Sequence, residues 1–132
     1  MPTIERFEDI EAWKKAREMT YAVYRVTRGG EFSRDFALRD QIRRASASVM
    51  ANVAEGFERG GNKEFRQFLA VAKGSAGEVK SLLYVALGAE FITQHQFDDL
   101  YRLADETGRL IAGFVRYLVN SELKGSKFVK PT

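Results

Sequence analysis

The chain holds one histidine, His95, no cysteine and 18 carboxylates. That inventory limits its chemistry first. Thiolate metal sites, disulfides and cysteine nucleophiles are excluded outright. A metal centre needs several converging ligands, and no His/Asp/Glu spacing around His95 supplies them. His95 is expected to be an exposed residue in the first turn of a helix. No G-x-S-x-G elbow, phosphate-binding glycine loop or dinucleotide fingerprint occurs. Gly29-Gly30 and Gly60-Gly61 resemble phosphate loops only in composition, since neither follows a strand signal and Lys63 is not in a Walker arrangement. They read as helix stops. The carboxylates are scattered among basic neighbours, and no pair stands out as an acid/base dyad. The expectation is a protein that is not an enzyme and takes no cofactor, metal or small-molecule substrate.

The polar residues that do form a pattern are Gln41, Arg44, Ser48, Asn52, Glu55 and Arg59. At about 100° per residue they lie within an arc of roughly 80°, one face of a helix. Glu55 and Arg59 are placed to pair at i,i+4. Beside this stripe runs an unusual segment, Ala-Ser-Ala-Ser-Val-Met-Ala-Asn-Val-Ala over residues 45–54, ten residues without a charge. That is about 15 Å of helix with no strongly solvated side chain in any direction. A second stretch, residues 68–77, has Lys73 as its only charge and contains Gly74 and Gly77. Each glycine costs roughly 1 kcal/mol against alanine inside a helix and is better tolerated where another backbone approaches. Ala47, Met50, Ala51, Gly74 and Gly77 are therefore candidates for a subunit interface. A single bundle with alanine and serine facing water is the plainer alternative.

The elements that must carry these residues are helices. Pro2 and Pro131 are the only prolines, so long stretches run without a helix breaker. Apolar residues recur at three- and four-residue steps in four segments. The first covers about residues 9–27, with Ile10, Trp13, Ala16, Thr20, Val23 and Thr27 on one face and Tyr24 beside them. The second covers about 34–59, with Ser33 as the expected N-cap and Leu38, Ile42, Ala45, Val49 and Val53 as its stripe. The third covers about 63–87, with Asn62 as the expected cap and a broad face running from Phe65 to Ala86. The fourth covers about 94–122, opened by a Thr93/Gln96 capping box, with Phe97, Leu100, Ala104, Thr107, Ile111, Phe114 and Leu118 facing inward. Strand signals are weak throughout. Four helices joined by short loops predict an all-α, antiparallel up-and-down four-helix bundle over residues 1–123, followed by a short basic tail, 124–132.

Composition agrees with that architecture: 132 residues suit one domain, and 45% hydrophobic with 30% charged is ordinary globular material. Ten Phe, five Tyr and one Trp are a generous aromatic load for a narrow core, which also favours a subunit interface. The net charge of +3 comes wholly from Lys124, Lys127 and Lys130, because the rest of the chain holds 18 basic and 18 acidic side chains. Any cationic patch on the body must arise by segregation of charge between faces. No apolar run approaches the roughly 20 residues of a membrane span, and the N-terminus has no apolar secretory core, so a cytoplasmic protein without a membrane partner is expected.

Several motifs stand in a characteristic order: residues 7–16 (Phe-Glu-Asp-Ile-Glu-Ala-Trp-Lys-Lys-Ala), 41–45 (Gln-Ile-Arg-Arg-Ala), 52–56 (Asn-Val-Ala-Glu-Gly), 64–69 (Glu-Phe-x-x-Phe-Leu) and 72–75 (Ala-Lys-Gly-Ser). In this the chain resembles the bacterial four-helix bundle proteins first recognised as reading frames within intervening sequences of large-subunit ribosomal RNA genes, over about residues 5–120. The resemblance implies a bundle that assembles as a ring-like homopentamer, and an association with RNA or the ribosome suggested by gene context. A more distant similarity, at fold level only, is to the basic pentameric accessory protein of diversity-generating retroelements, which binds nucleic acid and a reverse transcriptase. One departure is Phe32-Ser33, where many members have Phe-Pro. The resemblance places recurring polar residues at Gln41, Arg43, Arg44, Asn52, Glu55 and Arg59. Gln41, Arg44, Asn52 and Glu55 become candidates for an inter-helix or inter-subunit polar network. Arg43, Arg59, Lys124, Lys127 and Lys130 become candidates for phosphate contact. The expected function is thus a homo-oligomeric scaffold or RNA-associated factor, and the alternative is a protein-interaction adaptor with no nucleic-acid role.

Overall fold

The computed structural model describes residues 4–123. Four helices carry it: α1 Glu11–Val26, α2 Phe36–Arg59, α3 Asn62–Gly88 and α4 Gln94–Leu123. The described residues contain no strand. Each helix packs against the next, and α4 returns against α1, which closes an up-and-down bundle around one core.

The apolar stripes read from the sequence form that core. Leu38, Ile42, Ala45, Val49 and Val53 of α2 are all buried, as are all seven inward positions named for the fourth helix. Phe57, Phe65, Leu69, Leu83, Ile111 and Leu118 are almost fully enclosed. Each such side chain contributes about 1.5–3 kcal/mol by leaving water. The threonines in the stripes are buried without cost in unpaired hydroxyls. Thr107 Oγ1 donates to the Leu103 carbonyl at 2.6 Å, and Thr27 Oγ1 to that of Val23 at 2.8 Å. Thr20 Oγ1 lies 2.7 Å from the Ala16 carbonyl and 3.1 Å from that of Ser46, so it also ties α1 to α2.

The helix ends differ from expectation in three places. Residues Phe7–Asp9 form a separate 3₁₀ turn, so α1 begins two residues late, behind Ile10. A second 3₁₀ turn, Phe32–Arg34, occupies the expected start of the second helix. Phe32 is buried there with its ring 5.4 Å from that of Phe91, which pulls the turn inward. Ser33 is consumed by that turn and donates to the Gly30 carbonyl at 2.7 Å; the N-cap of α2 is Asp35, whose carboxylate accepts the Leu38 amide at 3.0 Å. Asn62 is not a cap either. It is the first residue of α3, and its side chain donates to the Leu118 carbonyl at 3.0 Å while accepting from Arg66 at 2.8 Å, which pins the start of α3 to α4.

The first helix stops before Gly29-Gly30, with Thr27 as its C-cap, whereas the second stops at its glycine pair. Gly60 closes α2 at φ +84°, a left-handed conformation that glycine adopts without steric cost. The Thr93/Gln96 capping box forms in both directions, at 2.9 and 3.1 Å.

Candidate functional site

The pattern on α2 is best followed from the residues that flank it. One edge of α2 meets α3. There Ser48 and Ser75 share a hydrogen bond at 3.1 Å, and Asn52 Nδ2 donates to the Ser48 carbonyl at 2.8 Å and to its hydroxyl at 3.0 Å. Gln41 donates across the same seam to Glu78 at 3.2 Å. At the other end, Arg59 pairs with Glu55 at 2.8 Å, lies 3.8 Å from Glu64, and stacks over Phe68 at 5.1 Å.

Of the four network candidates, Asn52 therefore joins a small polar cluster, but with Ser48 and Ser75 rather than with Arg44 or Glu55. Gln41 reaches α3 independently. Glu55 is engaged by Arg59. Arg44 is exposed and makes no side-chain hydrogen bond or ion pair among the described residues. Among those residues no buried side-chain nitrogen or oxygen lacks a partner, so the seam is satisfied as it stands.

The interface candidates are distributed over three surfaces. Ala51 and Gly74 are exposed on the outer sides of α2 and α3, flanking the Ser48–Ser75 seam. Val71, one turn before Ser75, is 54% exposed beside them. Ala47 and Met50 lie on the opposite edge of α2, toward α1, and are half-buried. Gly77 lines a groove of about 260 Å³ between α3 and α4, with Lys73, Lys80, Asp105, Gly108 and Arg109. A Cβ placed on Gly74 or Gly77 would meet nothing within 4 Å, so packing within the chain requires neither glycine. The uncharged segment of α2 is narrower in space than in sequence. Of residues 45–54 only Ala51 is classed as exposed, because α1 and α3 cover both flanks.

The phosphate candidates separate in the same way. Arg59 is largely offset by two carboxylates. Arg43 donates through Nε to Thr27 Oγ1 at 2.8 Å, and its guanidinium lies 4.5 Å from the centre of the Tyr24 ring, without an ion pair among the described residues. Lys124, Lys127 and Lys130 lie outside the described residues. His95 is exposed at the start of α4, 3.4 Å from Asp99. Among the described residues no group of three His, Asp or Glu side chains converges as a metal site would require, and no helix is long and apolar enough to cross a membrane.

Sequence reasoning missed Ser75 and Val71 as parts of the α2/α3 face. The signal for both was present: they lie three or four residues apart in the nearly uncharged 68–77 stretch, on the edge that also carries Phe68 and Glu78.

With this geometry in view, the chain can be set beside known proteins. A family model described as 23S rRNA-intervening sequence protein matches residues 8–113. A crystal structure from Bacteroides thetaiotaomicron VPI-5482, described as a protein with unknown function from the S23 ribosomal protein family, has a TM-score of 0.74 at 21% identity, covering 80% of this chain and 95% of that one. At that identity the likeness shows the shared fold. No curated protein matches.

Proposed function

We propose that this chain, which belongs to the 23S rRNA-intervening sequence protein family, is a non-enzymatic helical bundle that assembles with copies of itself, as a ring of five, and associates with RNA. Assembly rests on one observation. The α2/α3 face carries Ala51, Val71 and Gly74 in the open, around a seam of neutral polar groups, with charges only toward its two ends. An exposed valine between an exposed alanine and an exposed glycine offers a surface that a second copy can approach closely. Between Arg44 and Glu55 it lacks the long charged side chains that keep such faces solvated. The subunit number follows the family resemblance. The RNA half draws on the family's description and on the basic tail. The lack of cysteine fits a reducing cytoplasm.

Sedimentation of two variants tests the assembly. Ala51→Glu and Val71→Glu each place a charge where a neighbouring copy would bury it unpaired, which is strongly unfavourable. Both are expected to lower the assembly state while keeping the helical signal. Leu110→Glu on α4 is expected to leave it unchanged. A parent and two variants that sediment as one and the same species would overturn the interface.

A further inference from the structure

We infer that the groove between α1 and α2, on the edge of α2 away from the Ser48–Ser75 seam, is a single-stranded RNA site that stacks bases on aromatic rings and holds phosphates with arginines. The inference rests on the RNA association proposed above and assigns it a surface.

The register places the lining residues. On α1, Trp13, Arg17, Tyr21 and Tyr24 fall within an arc of about 80°. On α2, Phe36, Arg39, Arg43, Ala47 and Met50 fall within an equal arc. The two arcs face one another, because Arg43 bonds Thr27 and Thr20 bonds the Ser46 carbonyl beneath them. Neither arc contains an aspartate or a glutamate.

Three arginines alternate with rings along this groove. Arg17 lies 5.1 Å from the Trp13 ring centre, Arg39 lies 4.8 Å from that of Phe36, and Arg43 lies 4.5 Å from that of Tyr24. Arg39 also binds Asp40 at 2.9 Å, but Arg17 and Arg43 have no ion pair among the described residues. Four other cations share two carboxylates of α4: Lys80 and Arg109 share Asp105, and Lys15 and Arg102 share Glu106. The body is neutral overall, yet these two arcs carry three arginines and no carboxylate.

The rings are open to a ligand. Tyr21 is 56% exposed and Phe36 64% exposed, and Tyr21 has no ring or cation partner among the described residues. Every nucleobase has a stacking face, and guanidinium planes stack on bases and bind phosphate oxygens in a forked geometry. An acidic peptide would use the arginines and leave the rings idle. Unpaired bases use both, and a duplex keeps its bases stacked inside.

The test is fluorescence anisotropy of a labelled single-stranded oligouridylate with the full chain, at two salt concentrations. Tyr21→Ala is expected to weaken binding about tenfold. Arg17→Gln is expected to weaken it about three- to tenfold and to lower the salt dependence by about one counterion. Both residues are exposed, so folding is expected to be kept, and circular dichroism checks that. Arg109→Gln, on the far side of the bundle, is expected to bind as the parent does. A parent that binds, with Tyr21→Ala and Arg17→Gln unchanged, overturns the groove and leaves the RNA reading standing. A parent that binds no RNA at low salt overturns both. Equal binding of a duplex, or displacement of the oligouridylate by polyglutamate at matched charge, overturns the stacking assignment.

Discussion

Gly56 and Gly74 occupy neighbouring helices in opposite surroundings. A Cβ on Gly56 would lie 2.8 Å from Phe65 Cδ1 and 2.8 Å from Phe68 Cβ. The second contact cannot be relieved by a rotamer change, because a Cβ moves only with its backbone. Gly56→Ala must therefore push the α2 and α3 backbones apart as well as shift the Phe65 ring, and overpacking of this kind costs about 1–3 kcal/mol. Within one chain Gly74 has open space around it, so Gly74→Ala removes backbone freedom from the unfolded state and is expected to add up to about 1 kcal/mol to the stability of the unassembled chain. Urea unfolding checks the pair, with the midpoint falling for Gly56→Ala and rising for Gly74→Ala; a parent-like midpoint for Gly56→Ala would contradict the close approach of the two helices. Gly56 stands in the Asn-Val-Ala-Glu-Gly motif, so its presence was legible. Its reason was not, since nothing in the spacing of Phe65 and Phe68 says that both will meet one glycine of another helix.

The elements themselves were the most legible feature, and their caps the least. Every residue named for the stripes of α2 and α4 is buried, because burial repeats every three or four residues and leaves a strong periodic trace, though Ser46, Gly56 and Phe57 of α2 and Leu103 of α4 join them. A cap is one side chain choosing one amide, and Ser33 and Asp35 are both good choices locally. What decided between them was tertiary: Phe32 buries against Phe91 and bends residues 32–34 into a 3₁₀ turn, which leaves Asp35 next to the first free amides of α2. The same competition moved Asn62 from capping α3 to bonding Leu118. Asp35→Ala is accordingly expected to cost about 1 kcal/mol, as the loss of an N-cap typically does. Ser33→Ala removes only a partly exposed bond to Gly30 and is expected to cost less. Thermal unfolding of the two variants reads the difference directly, and a larger loss for Ser33→Ala would return the cap to Ser33.

Across the whole molecule the charges are sorted by helix, which net charge averages away and sequence spacing alone does not show. Carboxylates of α4 take cations from both neighbours: Glu106 lies 3.2 Å from Lys15 of α1, and Asp105 lies 3.0 Å from Lys80 of α3 and 2.8 Å from its own helix's Arg109. The Arg109 hydrogen bond, then that of Lys80, holds the Asp105 carboxyl below the usual carboxylate range; Lys15, then Arg102, does the same for Glu106. The sign follows from linkage. A carboxyl depressed in the folded state adds stability above its unfolded value, and that stability is lost as pH falls through the ordinary carboxylate range toward the depressed value. Lys15 and Lys80 are raised, first by their hydrogen bonds to Glu18 and Asp105, so their contribution is complete below the ordinary lysine value and is lost as pH rises through the raised one. Thermal stability is therefore expected to be flat near neutrality and to fall on acidification below about pH 5. Asp105→Asn removes one depressed carboxyl, so it is expected to melt slightly below the parent at neutral pH and to meet it at the acid end, a small flattening because the group is partly solvated and screened. Melting the parent and the variant side by side between about pH 3 and 7 decides it. Parallel curves would mean that the α3–α4 ion pairs do not couple protonation to folding, and that the bundle's stability rests on its apolar core alone.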